Sequence, residues 1–310
     1  LASRRAHTVG RALPGVLLAL AVLAASTGIP GVAWAGFIPM TVRVSVASDG
    51  AQGNGTSYYP AISSEGRHVV FASYATNLVP GDTNGKRDVF IHDRQTGQTT
   101  RVSVASDGSQ GNGDSTYMSI SADGRYVAFV SNATNLVPGD TNGQSDIFVH
   151  DVQTGETTRV SVASDGTQAS GPSLFAAISA NGRYVALVSG ASNLIPGDTN
   201  ARDDVFLHDR DTGQTARVSV ASDGTQGNGH CAYAPAISAD GRYVAFQSGA
   251  SNLAPGDTNA ADDVFVHDVQ TGQTARVSVE LIPGPTGSPA ASTRSSSRSG
   301  ISLKGCRPTD

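Results

Sequence analysis

Four short stretches of this chain carry carboxylates and amides at one fixed spacing. They are Asp82/Asn84/Asp88, Asp140/Asn142/Asp146, Asp198/Asn200/Asp204 and Asp257/Asn259/Asp263. Two carboxylates and an amide oxygen this close can wrap a hard cation such as calcium. The same pattern suits a plain turn, in which Asp and Asn cap their own backbone and Gly85 or Gly143 takes a positive φ. Both readings stand on sequence alone. The first loop holds Lys86 and Arg87, which can neutralise its carboxylates. The fourth adds Asp262 and has no base. If these loops bind calcium, the fourth should therefore bind more tightly than the first.

Three other constellations could carry chemistry. A histidine recurs as His92, His150, His208 and His267, which invites a metal ring. Its place on an outer strand would hold the four imidazoles far apart, so packed histidines are expected. An aromatic lead-in recurs as Tyr58, Tyr59, Tyr117, Phe175 and Tyr233. These residues should ring one end of the structure, where they either stack on a ligand or pack between repeats. His230-Cys231 is the clearest break in the pattern. Neighbours on a strand point to opposite sides, however, and no third residue is evident to orient the histidine.

The elements that position these residues repeat. With Asp82, Asp140, Asp198 and Asp257 as markers, the spacings are 58, 58 and 59 residues. The extra residue is expected in or near Gly227–Cys231. Each period offers four strands. The first is short, as in Pro60–Ser63. The second, such as Tyr126–Val130, is apolar on both faces and reads as buried on both sides. The third is Asp146–Asp151. The fourth, Thr158–Val162, alternates and reads as outermost. Asp123-Gly124 marks a tight hairpin between the first two strands, and Thr154-Gly155 another between the last two. The long loops, Asn132–Ser145 and Ala105–Thr116, should lie together at the opposite end. Strands alone at this period predict an all-β fold: a β-propeller of four-stranded antiparallel blades, with four complete repeats of about 58 residues. A fifth copy of the Arg-Val-Ser-Val strand, within Thr41–Val46, is expected to close the ring by packing on the last blade.

The run Ile120–Phe129, ISADGRYVAF, resembles the hairpin of TolB-type (WD-like) propeller repeats, where Ser-Pro-Asp-Gly-Lys precedes an apolar strand. The resemblance spans residues 41–279 and recurs four times in register. Ser64-Glu65-Gly66 and Asn181 depart from it. It implies four-stranded blades with the first strand nearest the axis, and no single activity, since such repeats serve as interaction platforms or as lids on peptidases. The Asp-x-Asn loops look like shortened calcium loops of FG-GAP propellers, without their middle Asp.

Residues 1–35 read as a signal peptide. Arg4, Arg5 and Arg11 precede an apolar run, and Ala33-Trp34-Ala35 offers a cleavage site. Removal of that segment leaves no membrane span and an exported protein, whether periplasmic, extracellular or on the cell surface. Residues 36–279 form the propeller domain, and 280–310 read as a disordered Ser/Pro/Gly-rich tail. Removing three of the 21 basic residues leaves 18 against 26 acidic, a balance that disfavours nucleic acid. Cys231 and Cys306 make no disulfide framework. The function expected is non-enzymatic: a scaffold binding a protein or carbohydrate through its long-loop face, with calcium as the one cofactor the residues suggest. The alternatives are a calcium-binding surface or structural repeat protein, and a hydrolase or lyase with its site at the channel mouth.

Overall fold

A computed structural model describes residues 41–231 and 233–279. The proposed signal peptide, the tail and Cys306 lie outside these residues. The chain divides into two compact units, residues 1–42 and 43–310, and every strand belongs to the second.

The described residues of that unit form four antiparallel sheets of four strands, each in simple meander order. Blade one comprises β1 (Ser57–Ile62), β2 (His68–Ser73), β3 (Asp88–Asp93) and β4 (Thr99–Arg101). Blade two comprises β5 (Ser115–Ile120), β6 (Tyr126–Ser131), β7 (Asp146–Asp151) and β8 (Thr157–Arg159). Blade three comprises β9 (Ser173–Ile178), β10 (Tyr184–Ser189), β11 (Asp204–Asp209) and β12 (Gln214–Arg217). Blade four comprises β13 (Ala236–Ile237), β14 (Tyr243–Ser248), β15 (Asp263–Asp268) and β16 (Gln273–Arg276). The all-β propeller-blade architecture expected from the repeat is thus present.

The core lies between sheets. In β6, Val127, Ala128, Phe129 and Val130 are all buried, because both faces of the strand meet apolar layers. Phe129 and Phe148 turn towards blade one, where they meet Val70, Ala72, Val89 and Ile91. Ala128, Val130, Ile147 and Val149 turn the other way and join Val185, Leu187 and Phe206 of blade three. Blades three and four share a third such layer, built on Val205, Leu207, Phe246 and Phe265.

Two expectations need correction. The outer strand is shorter than the alternation suggested. It stops at Arg101, Arg159, Arg217 or Arg276. The following serine peels the chain inward, because Ser103 Oγ donates to Asp88 Oδ1 at 2.6 Å and accepts from Val89 N at 3.1 Å. The ring-closure scheme also fails. Residues 43–48 belong to blade one, not blade four. Thr99 Oγ1 donates to the Val46 carbonyl, and Thr99 N donates to Ser48 Oγ at 3.0 Å. Every later blade repeats this contact. Ser106 grips Thr157, Ser164 grips Thr215 and Ser222 grips Thr274. The first Arg-Val-Ser-Val copy is therefore the lead-in that each outer strand requires.

Candidate functional site

The Asp/Asn loops and the aromatics sit at the same end of the sheets, where both long loops run, but they form two different environments. The carboxylate loops are turned inward. Asp88 is fully buried and receives Ser103 Oγ, Asn84 Nδ2 (2.9 Å) and Arg101 Nη1 (3.1 Å). The same Arg101 nitrogen lies 3.2 Å from Asp82 Oδ1. Arginine thus stands between the two carboxylates, where a metal ion would have to sit. Arg159 bridges Asp140 and Asp146, Arg217 bridges Asp198 and Asp204, and Arg276 bridges Asp257 and Asp263. The amides are committed too. Asn84 Oδ1 accepts from Lys86 N, so the nitrogen and not the oxygen faces Asp88. Asn142, Asn200 and Asn259 do the same.

This arrangement overturns one premise of the calcium ranking. The fourth loop does have a base, Arg276. Lys86 and Arg87 are not what neutralises the first. Among the described residues no group of three or more His, Cys, Asp or Glu side chains converges as a metal site. Burial, and then the charge of Asp88, pushes the Asp82 carboxyl up, against the pull of Arg101. Burial likewise raises Asp140 and Asp204.

The histidines are packed, as expected. His92, His150, His208 and His267 are buried, and each Nδ1 lies 2.8–2.9 Å from the outer-strand threonine Oγ1. That hydroxyl already donates its one proton to a backbone carbonyl, so Nδ1 must be the donor. Burial lowers all four imidazoles, His208 to about 4.

The aromatics are partly open to solvent: Tyr117 and Phe175 are half-buried and pack against the layers between blades. Tyr59 and Tyr117 have centroids 4.8 Å apart, and Tyr117 and Phe175 are 4.9 Å apart. Tyr58 adjoins Tyr59 at 6.0 Å and meets Tyr74 edge-on at 6.3 Å. One continuous aromatic strip therefore crosses the inner strands of blades one to three. Tyr58, Tyr59 and Tyr74 are exposed. Tyr59, Tyr117 and Phe175 hold φ of 50°, 45° and 52°. In blades one and two this residue lies inside a strand bulge. A left-handed conformation costs a non-glycine residue roughly 1–2 kcal/mol, and here it recurs at the same place in three blades. Tyr233 is exposed and stacks on none of these rings.

The strip has a polar rim that no single motif in the sequence reveals. The Arg87 guanidinium lies over the Tyr74 ring at 5.6 Å. Asp114 accepts from Arg87 N at 2.9 Å and lies 3.5 Å from the Tyr74 hydroxyl. The corresponding pair in blade two is Asn132 with Ser145, hydrogen-bonded at 2.6 Å. In blades three and four it is Gly190 with Asp203, and Gly249 with Asp262. A Cβ on either glycine would meet that aspartate at 2.7 or 2.8 Å. The rim is where the four copies stop being copies. A position-by-position comparison of the repeats would have found it.

His230-Cys231 is not a thiol site. Cys231 is buried and takes the place of Ser115 and Ser173, its N–H donating to Asp203 O as theirs do to Arg87 O and Ser145 O. Burial pushes its thiol up to about 12, which removes the nucleophilic thiolate at neutral pH. His230 lies 4.0 Å from Asp262, on the opposite side of the strand. Cys231 is still in register with the earlier blades while Ser248 pairs one residue later, so the extra residue lies after Cys231.

No protein-family profile and no curated protein matches the chain. Similar solved structures include TolB from Acinetobacter baumannii, 20% identical with a TM-score of 0.44, covering 72% of this chain and 43% of that one. A putative TolB from Agrobacterium tumefaciens is 16% identical with a TM-score of 0.45, covering 74% of this chain and 64% of that one. An oligogalacturonate lyase from Vibrio parahaemolyticus is 13% identical with a TM-score of 0.44, covering 74% and 55%. The chain spans less than two thirds of the length of each. The chain's own sheets are a series of four-stranded antiparallel blades.

Proposed function

We propose that this protein is an exported, non-enzymatic binding module that meets its ligand with the aromatic strip on its long-loop end. One observation carries the reading: Tyr58, Tyr59, Tyr74, Tyr117 and Phe175 form a single strip, held partly in strained backbone and rimmed by Arg87 and Asp114. Flat rings stack on flat ligand faces, either sugar rings or proline and peptide planes. Tyrosine hydroxyls, a guanidinium and a carboxylate then fix the ligand's orientation. The acidic balance of the chain leaves no basic field for nucleic acid. No described helix is long and apolar enough to cross a membrane. The basic, apolar segment at residues 1–35 supports export.

For the Asp-x-Asn loops we favour an internal ion pair over calcium, with Arg101 and its three counterparts as the built-in cations. A hydrolase or lyase needs convergent acid and base groups. The rim offers only the Asp114–Arg87 and Asp262–His230 neighbours, one at each end of the series. The test is a panel of neutral and acidic oligosaccharides and proline-bearing peptides, probed with the purified chain and with its Tyr59→Ala/Tyr117→Ala variant. Binding that the double variant loses supports the reading. Binding that the double variant retains refutes the strip as the site.

A further inference from the structure

The four described blades stand in series. Apolar layers join blade one to two, two to three and three to four, and none among the described residues joins four to one. Val264 is 41% exposed, whereas Val89, Ile147 and Val205 at the same place are 0%. At the other end Ile62 is 57% exposed, where Ile178 is 8%. Two apolar faces are therefore left over, one at each end.

These faces complement each other in three ways. At the tight-hairpin end, Ser64 N donates to Ala122 O, Ala122 N to Ala180 O, and Ala180 N to Ala239 O, at 2.9–3.0 Å. That chain of bonds leaves a donor, Ala239 N–H, on blade four and an acceptor, Ser64 O, on blade one. At the long-loop end the direction reverses. Ser115 N donates to Arg87 O, Ser173 N to Ser145 O and Cys231 N to Asp203 O. This leaves Asp262 O on blade four and Ser57 N–H on blade one without that partner. Also at the tight-hairpin end, a ring of each blade packs against the hairpin glycine of the next. His68 covers Gly124, Tyr126 covers Gly182 and Tyr184 covers Gly241, so closely that a Cβ would come within 2.0–2.1 Å of the ring. Tyr243 covers no glycine and is exposed, and Gly66 has no such ring over it.

We propose that blade four of one copy docks on blade one of a second copy, through the same interface that already joins the blades within the chain. Such docking is independent of what the aromatic strip binds. The three existing interfaces share one pattern of contacts, and among the described residues no apolar layer brings blade four onto blade one. A head-to-tail contact forms a ring only if the rotation closes. Two copies give eight blades, the upper end of the usual range of about 4–8, and three copies would exceed it. Each closed dimer presents two aromatic strips.

The test is the mass of the full chain in solution by light scattering across concentration. The expected species has twice the chain mass. Val264→Arg and Ile62→Arg should each give a monomer, because burying an unpaired charge at both junctions weakens association by about a hundredfold or more. Val152→Arg, at an exposed hairpin of blade two, should stay dimeric. Both end residues are exposed within one chain, so their variants should melt as cooperatively as the parent monomer. That check separates lost association from lost folding. A monomer at every concentration, an open-ended polymer, or a dimer indifferent to both end variants would overturn the proposal.

Discussion

The buried carboxylate strip and the aromatic rim lie at the same end of the same blades and obey opposite rules. Along the strip, Asp, Asn, Arg and Ser recur in all four copies with almost unchanged partners: Asp88, Asp146, Asp204 and Asp263 each accept from a serine hydroxyl and each face an arginine. Along the rim, the matching positions read Tyr74/Arg87, Asn132/Ser145, Gly190/Asp203 and Gly249/Asp262. The strip is buried and paired mainly within itself, although Asp82 Oδ1, Asp140 Oδ1 and the Nε of Arg101, Arg159 and Arg217 have no hydrogen-bond partner, and the rim is more open to solvent. In a repeat protein, a position that varies from copy to copy is released from holding the blades and can meet something else, and here such positions border the aromatic strip.

The sharpest way to break this contrast is to cut the strip. Asp146→Ala removes one of the two carboxylates facing the buried Arg159 and the acceptor of the Ser161 hydroxyl, and breaking a buried pair costs about 3–5 kcal/mol. Urea unfolding should show a loss of that size, while Asn132→Ala on the rim should stay within about 0.5 kcal/mol of the parent.

Acid should act on the strip's neighbours in two stages. The unfolded chain protonates His208 near its ordinary value of about 6.5. The folded chain, because of burial, does so only near about 4. Stability therefore falls as pH drops across that window, with His92, His150 and His267 adding in the same direction. The bidentate Arg183 guanidinium holds Asp209 down at about 2, so the stability from that pair is lost from near its ordinary value down to about 2. The raised carboxyls of Asp82 and Asp140 have the opposite sign, and their contribution falls as pH rises past their ordinary value. Unfolding midpoints followed against pH should show the first fall between about 6.5 and about 4, and His208→Asn should flatten it.

A smaller effect sharpens the turn reading of the Asp-x-Asn loops. Ala201 and Ala260 hold φ of 51° and 53°, where the first two copies have Gly85 and Gly143. Ala201→Gly should stabilise by roughly 0.5–1 kcal/mol, the relieved strain outweighing the added freedom of the unfolded chain. Millimolar calcium against chelator should leave the melting midpoint unchanged, since arginine already stands between each pair of carboxylates.

Much of the fold was legible because the strongest signals are local. The Asp123-Gly124 turn, with Gly124 at φ 79°, and the doubly apolar β6 are fixed by residues a few positions apart. The aromatic strip was legible for the same reason, since Tyr59, Tyr117 and Phe175 each lead into an inner strand. What escaped was set by distant partners. Arg101 stands 13 residues beyond Asp88, so the loop looked unbalanced and calcium looked reasonable. Ser103 alternated like a strand residue, yet it is a buried donor to that same Asp88. Tyr74 and Arg87 have no counterpart in the other copies, and their neighbours across the sheet give them meaning.

The central claim is that the aromatic strip binds while the buried carboxylates hold the blades, and one paired measurement on Tyr59→Ala tests it. Its urea unfolding free energy and its dissociation constant for the tightest oligosaccharide or peptide found on the panel should be taken together. The side chain is exposed, so stability should change by less than about 1 kcal/mol. Loss of one stacking ring should weaken binding by at least about tenfold. Unchanged affinity, or a stability loss as large as that of Asp146→Ala, would contradict the account.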